Sequence, residues 1–386
     1  MRRALWSYPW DVQEQGAARV SAELRAAGVN TISLASAYHA GRFLQPRSAR
    51  KCYYPEDGTI YFRPDPARWA GRRITPQPAS MLAEHDVLGE LVRRRDAGGL
   101  AVACWTVCLH NTRLGLLHPE AVTRNAFGDG NIFSLCPSHP EARAYVTTLC
   151  ADLSATYRPD AIELESPGFM GYAHGYHHEK DGVGLLPEDD FLLSLCFCPS
   201  CVARAAACGV DAGAAQRVVR ALVEESLARE TPRARWPDFP AGGLDAFAAL
   251  PALHAFLLWR YEPVTSLLRE IRQATHADTR VLLIDLADGW LGGCDLAQAA
   301  RICDGLILCA YDMAPAAVAG LLQGGRAAQP RFLGAGFRLF WPEMQNAAAF
   351  AARVRAAREA GAEGFNFYNY GLVPAARLAW IAAALG

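Results

Sequence analysis

The chain carries almost no net charge: 38 basic and 39 acidic residues leave −1 at neutral pH. Without a global field to attract polyanions, no nucleic-acid partner is expected. No apolar run approaches the length of a membrane span, so no membrane partner is expected either. The apolar stretch after Arg2 and Arg3 is too short for a signal-peptide core and is interrupted by Pro9 and Asp11. The sequence therefore reads as cytoplasmic. No glycine-rich phosphate turn opens the chain, which argues against an open dinucleotide-binding sheet. There is no H-E-x-x-H motif, no solenoid repeat and no low-complexity tract beyond Ala-rich helices.

What is present is material for a large core. Hydrophobic residues make up 52% of the 386 positions and charged residues 20%. Short apolar or β-branched runs alternate with longer helical runs. Strands are expected at 4–8, 31–37, 100–108, 161–165, 280–286, 305–310, 331–336 and 364–368. Helices are expected between them, among others at 81–96, 140–157 and 253–275. The helix carrying Val20 and Leu24 should stop at Gly28. Eight strand–helix units in strict alternation predict an α/β fold, a single (β/α)₈ TIM barrel spanning 1–386. Long insertions follow strands two, three and four, and the largest, at about 169–250, is helical and contains cysteines. A homo-oligomer is left open; an apolar patch on the outer helices would be its sign.

In such a barrel the loops after the strands form the working face. Strand four reads Ile162-Glu163-Leu164-Glu165, and alternation puts both glutamates on the barrel interior, with Glu165 at the rim. Two carboxylates in a barrel mouth push each other's pKa values apart, which suits acid–base chemistry. Asp312 falls where strand six should meet its loop, across the mouth from Glu165. A facing carboxyl pair is what glycoside cleavage requires, so Glu165 and Asp312 are the catalytic candidates. The bland alternative for Asp312 is a helix cap. Strand five offers Asp288 at its end and Asp285 inside.

Aromatic and polar residues gather at other strand ends: Trp10, Tyr38, His39, Trp105, His110, Asn111, Tyr311, Arg338 and Tyr368. With Asp288 and His177 they form the expected substrate-binding set for a carbohydrate. The His-rich segment 172–180 also admits a metal-dependent sugar isomerase, epimerase or lyase, with a catalytic metal held by His and acidic groups. A barrel that binds sugar without converting it is the third reading. Of the twelve cysteines, Cys104, Cys108, Cys303 and Cys309 lie in apolar contexts and read as core. Cys196, Cys198 and Cys201 have C-x-C-x-x-C spacing, which suits a structural Zn²⁺ with a fourth ligand from Cys136, Cys208 or a His. Reduced thiols or a disulfide are the alternatives.

The Cys-Pro segment at Cys136-Pro137 after strand three, followed by the cysteine cluster after the strand-four glutamate, resembles the barrel domain of family 42 β-galactosidases and of related "hypothetical glycosyl hydrolase" families. That resemblance implies a structural zinc on Cys136, Cys196, Cys198 and Cys201, no organic cofactor, and Glu165 as general acid/base. Leu164 stands where that family has Asn before the glutamate, and its strand-seven glutamate has no clear counterpart. Barrels of the α-galactosidase-like type, with carboxylates on strands four and six, are similar in the placement of Glu165 as nucleophile and Asp312 as acid/base.

Overall fold

In the computed structural model, which describes residues 1–174, 180–286 and 288–386, eight parallel strands follow one another around a closed ring. They are β1 (Arg2–Ser7), β2 (Thr31–Tyr38), β3 (Ala101–Val107), β4 (Ala161–Glu165), β5 (Arg280–Leu286), β6 (Gly305–Cys309), β7 (Leu333–Arg338) and β8 (Gly364–Tyr368). β1 pairs with both β2 and β8, so the ring has no free edge. The fold is a (β/α)₈ barrel, and the expected strands differ from the observed ones by no more than two residues at either end.

Side-chain alternation divides the barrel into two cores. Ile32, Leu34, Cys104, Ile162, Leu164, Leu283 and Leu306 face outward and pack on the helices. Trp6, Ala35, Trp105, Leu282, Ile307 and Cys309 fill the inside. The outer helices stop where the sequence marks them. Ala17–Ala26 ends before Gly28, whose φ of +79° suits a residue without a Cβ.

Two helices depart from expectation. The helix expected over 81–96 begins only at Val87, because Asp86 caps it by accepting from the Gly89 N–H at 2.9 Å. The helix expected over 253–275 is split into Pro251–Trp259 and Tyr261–Ala274. Pro263 has no N–H and its ring would clash with the carbonyl of Trp259, so the first helix cannot run through it. Before these come Pro187–Ser194, Pro199–Ala207 and Ala212–Ala228. Together these helices bury a core of their own around Phe191, Leu192, Val219, Phe247 and Phe256. Among the described residues no single helix is long and apolar enough to cross a membrane.

Candidate active site at the barrel mouth

Glu163 and Glu165 both point inward from β4, as alternation requires. Glu163 is fully buried and its carboxylate is surrounded by donors. Trp6 Nε1 donates at 2.8 Å, Ser33 Oγ at 2.7 Å and Asn366 Nδ2 at 3.1 Å, and Arg2 closes an ion pair. Every lone pair is engaged, so Glu163 is a structural group that ties β1, β2, β4 and β8 together.

Glu165 lies one layer higher and has a single side-chain donor among the described residues, the indole N–H of Trp105. Burial lifts its carboxyl from near 4.5 to about 6, with the Trp105 hydrogen bond opposing. Immediately beyond it Ser166 adopts a left-handed φ of 51°, which turns the chain off the strand and leaves Glu165 at the rim. The following loop is stitched to the β5 loop. The Phe169 N–H donates to the Gly292 carbonyl at 2.9 Å, and a Cβ on Gly168 would sit 2.4 Å from that oxygen, so only glycine permits the approach.

Aromatic rings pave the mouth around Glu165. Tyr38 meets Trp105 edge-on at 4.9 Å, and Tyr368 meets it at 5.7 Å. The Tyr8 hydroxyl bridges the hydroxyls of Tyr38 at 3.1 Å and Tyr368 at 2.7 Å. Burial pushes all three phenols up, so they remain protonated hydrogen-bonding groups. Arg338 lies over the Tyr311 ring at 4.5 Å and is held from behind by Glu343. These groups open onto a cavity of about 660 Å³, within the range of about 300–1,000 Å³ typical of small-molecule sites.

Of the residues singled out in the sequence, Glu165, Tyr38, Trp105, Asp288, Tyr311, Arg338 and Tyr368 line this cavity. Trp10, His39, His110 and Asn111 do not. Trp10 stacks on Tyr8 at 4.4 Å behind the paving. His39 and His110 stack at 4.2 Å, and burial lowers the His110 imidazole to about 2, so it is neutral. Asn111 caps the helix Thr112–Leu117, accepting from the Leu114 N–H at 2.8 Å, which explains its type without a substrate. His177 lies outside the described residues.

The strand-six candidate, Asp312, lies farther along the chain than expected. β6 ends at Cys309, so Asp312 falls three residues beyond it on an exposed left-handed turn and, unlike its neighbour Tyr311, does not line the cavity. Nor does it cap the next helix, whose N-cap is Ala314. Strand five also departs from expectation. Leu282 and Ile284 take the interior face, which gives Asp285 the same parity as Val281 and Leu283. Asp285 still lines the cavity, because the cavity reaches outward past the end of β5 toward the insertion. Burial, helped by Asp288, lifts its carboxyl from 3.8 to about 7. Among the described residues no donor reaches that carboxyl. The insertion supplies lining groups that the sequence did not mark, including Phe169, Met170, Phe191 and Phe239.

The cysteine cluster assembles at a distance from this chemistry. Cys136, Cys196, Cys198 and Cys201 are buried, and their sulfurs lie within 4.8 Å of one another. Cys136 Sγ is 3.5 Å from Cys201 Sγ, 3.6 Å from Cys198 Sγ and 3.9 Å from Cys196 Sγ. The Arg124 and Ser138 backbone N–H groups point at two of the sulfurs. Cys208 is exposed and stands apart from the group. Cys104, Cys108, Cys303 and Cys309 are buried as expected.

No protein-family model matches this chain, and no curated protein matches it. The likeness to family 42 therefore rests on the cysteine and glutamate motifs alone. Solved structures do superpose. The PgaB (BpsB) glycoside hydrolase domain from Bordetella bronchiseptica aligns with a TM-score of 0.56 at 13% identity, over 95% of this chain and 94% of that one. Alpha-L-fucosidase isoenzyme 2 from Paenibacillus thiaminolyticus aligns with a TM-score of 0.55 at 14% identity; it covers 100% of this chain, which spans only 49% of the fucosidase. At these identities the likeness is one of architecture: the chain is a (β/α)₈ barrel built like the barrels of those two proteins.

Proposed function

We propose that the protein is a glycoside hydrolase that binds a carbohydrate at the barrel mouth. One observation carries the reading: two carboxyl groups, Glu165 and Asp285, line one aromatic-paved cavity, and burial lifts both toward neutral pH. Near pH 6–7 each is divided between its acid and its base form. That is the condition for one to protonate the leaving oxygen while the other, ionised, attacks the anomeric carbon or activates water. Trp105 orients the Glu165 carboxylate through its indole N–H, and Arg338 and the tyrosine hydroxyls face the cavity as partners for sugar hydroxyls. Asp285 takes the place that the sequence suggested for Asp312. The two superposing proteins, a glycoside hydrolase domain and a fucosidase, agree with this reading.

The test is turnover on a panel of aryl glycosides. Glu165→Gln and Asp285→Asn should each lower it by about 10²–10⁴-fold without unfolding the protein. Wild-type turnover in both variants would sink the assignment.

We further propose that the four cysteines hold a structural zinc. A tetrahedral ion about 2.3 Å from each sulfur sets the sulfurs about 3.8 Å apart, close to the 3.5–3.9 Å separations from Cys136. Four thiolates around a dication carry a net negative charge. Arg260, buried and without a carboxylate partner among the described residues, lies close enough to Cys196 and Cys201 for their charge to act on it. The ion would join the loop after β3 to the insertion and take no part in turnover. Metal analysis of the purified protein should find one zinc per chain, and a metal-free protein of unchanged stability would refute the proposal.

A further inference from the structure

The cavity has two halves of opposite chemistry. Toward the barrel it is lined by Glu165, Arg338 and the hydroxyl-bearing rings. Toward the insertion it is lined by Phe169, Met170, Phe191, Phe239, Pro240 and Leu291. This second wall is packed firmly from behind: Phe191 meets Phe239 at 5.6 Å and Trp290 at 5.2 Å, and Phe247 lies against both phenylalanines. The polar side chains on that side are few: His174, whose ring meets His110 edge-on at 4.9 Å, Asp190 and Ser194. The Asp190 carboxylate accepts from the Ala173 N–H at 2.6 Å, and Ser194 Oγ donates to the Phe191 carbonyl at 2.6 Å. On the lip, Leu286 leaves 60% of its surface open to solvent.

A second sugar in this half would lose water from more hydroxyls than these few groups can meet, which costs free energy for each one left unsatisfied. An alkyl or aryl group would gain from every buried methylene. We propose that the substrate is a glycoside with an apolar aglycone: the sugar sits in the barrel half, and its hydrophobic leaving group fills the half walled by the insertion. Asp285, which lines the same cavity, is then the carboxyl we assign to the cleavage of the bond to that leaving group. This inference rests on the glycosidase reading above and names its substrate class.

A homologous series tests it. For the sugar that the aryl-glycoside panel turns over fastest, kcat/KM is measured for its methyl, butyl, hexyl and octyl glycosides and for its disaccharide. KM should fall by about two- to four-fold per added methylene until the apolar half is full, and the hexyl glycoside should outrun the disaccharide. Phe239→Asp should cut the octyl-to-methyl ratio of kcat/KM at least ten-fold; Leu286→Asp, on the exposed lip, is the second variant should the first fail to fold. A flat series with the disaccharide preferred overturns the proposal and leaves the glycosidase reading standing. If the panel shows no turnover at all, the glycosidase reading fails and the aglycone proposal with it. Binding of 1-octanol, followed by tryptophan fluorescence, then shows separately whether the apolar half exists: saturable binding weakened by Leu286→Asp keeps it, and its absence removes it.

Discussion

Glu163 and Glu165 stand two residues apart on one face of one strand and live in opposite surroundings. Glu163 is saturated: an arginine, an indole, a serine and an asparagine converge on it from three other strands. Glu165, one layer nearer solvent, has one side-chain donor among the described residues, and its charge is poorly compensated. The difference teaches where this barrel spends its polar groups. At the floor, donors are used up in closing the ring. At the mouth, they are withheld, and a carboxyl short of donors is a carboxyl whose proton can move.

The largest effect that would sharpen this contrast is on turnover. Glu165→Gln should abolish aryl-glycoside cleavage by about 10²–10⁴-fold while denaturant unfolding moves little; a variant that unfolds but stays active would invert the comparison. Glu163→Ala should do the reverse, costing about 3–5 kcal/mol by leaving the Arg2 cation buried and unpaired, read as a drop in the urea midpoint. Next comes pH. Because burial raises Glu165 from near 4.5 to about 6, its contribution to folding is fully present below pH 4.5 and is lost as pH rises through 6. The loss amounts to about 2 kcal/mol, and the stability of Glu165→Gln should be flatter across that window. Asp285, lifted from 3.8 to about 7, should add a second loss in the same direction, extending to pH 7, which Asp285→Asn removes. Smallest of all, Asp312→Asn should leave turnover within about two-fold of wild type, as expected for an exposed surface substitution; a large loss there would return Asp312 to the site.

The barrel was legible in the sequence because its signals are local. Runs of apolar residues, Gly28 past a helix and strict alternation each act within a few positions, and eight such units point to one closed sheet. Glu165 was legible for the same reason, since its facing follows from Ile162 and Leu164 on the same strand. The carboxyl proposed here as its partner was less so. Asp312 and Asp285 both lie near strand ends, where a shift of one residue changes the face, and the parity of β5 is decided by packing of Leu282 and Ile284 that no local signal records. Asn111 shows how ambiguous such positions are: a polar residue expected at a ligand contact caps a helix and does not line the cavity. The apolar wall was hidden for another reason. Phe191 and Phe239 come far along the chain from β4, and only the folding back of the insertion brings them beside Leu291 and Ile284.

The floor of the barrel also sets when the molecule can finish folding. Three of the partners of Glu163 come from β1 and β2, the first barrel strands made, and the fourth, Asn366, from β8, the last of the eight. A nascent chain can form its early strand–helix units on the ribosome, yet the carboxylate at their centre lacks one donor until the final strand emerges. Closure is thus a late event in the making of the barrel, joining its first strand to its last. Contacts separated by 203 and 161 residues make it slow relative to helix formation. Losing β8 would therefore remove more than one strand's worth of stability, because it reopens the ring on both sides and strips the buried acid of its last partner.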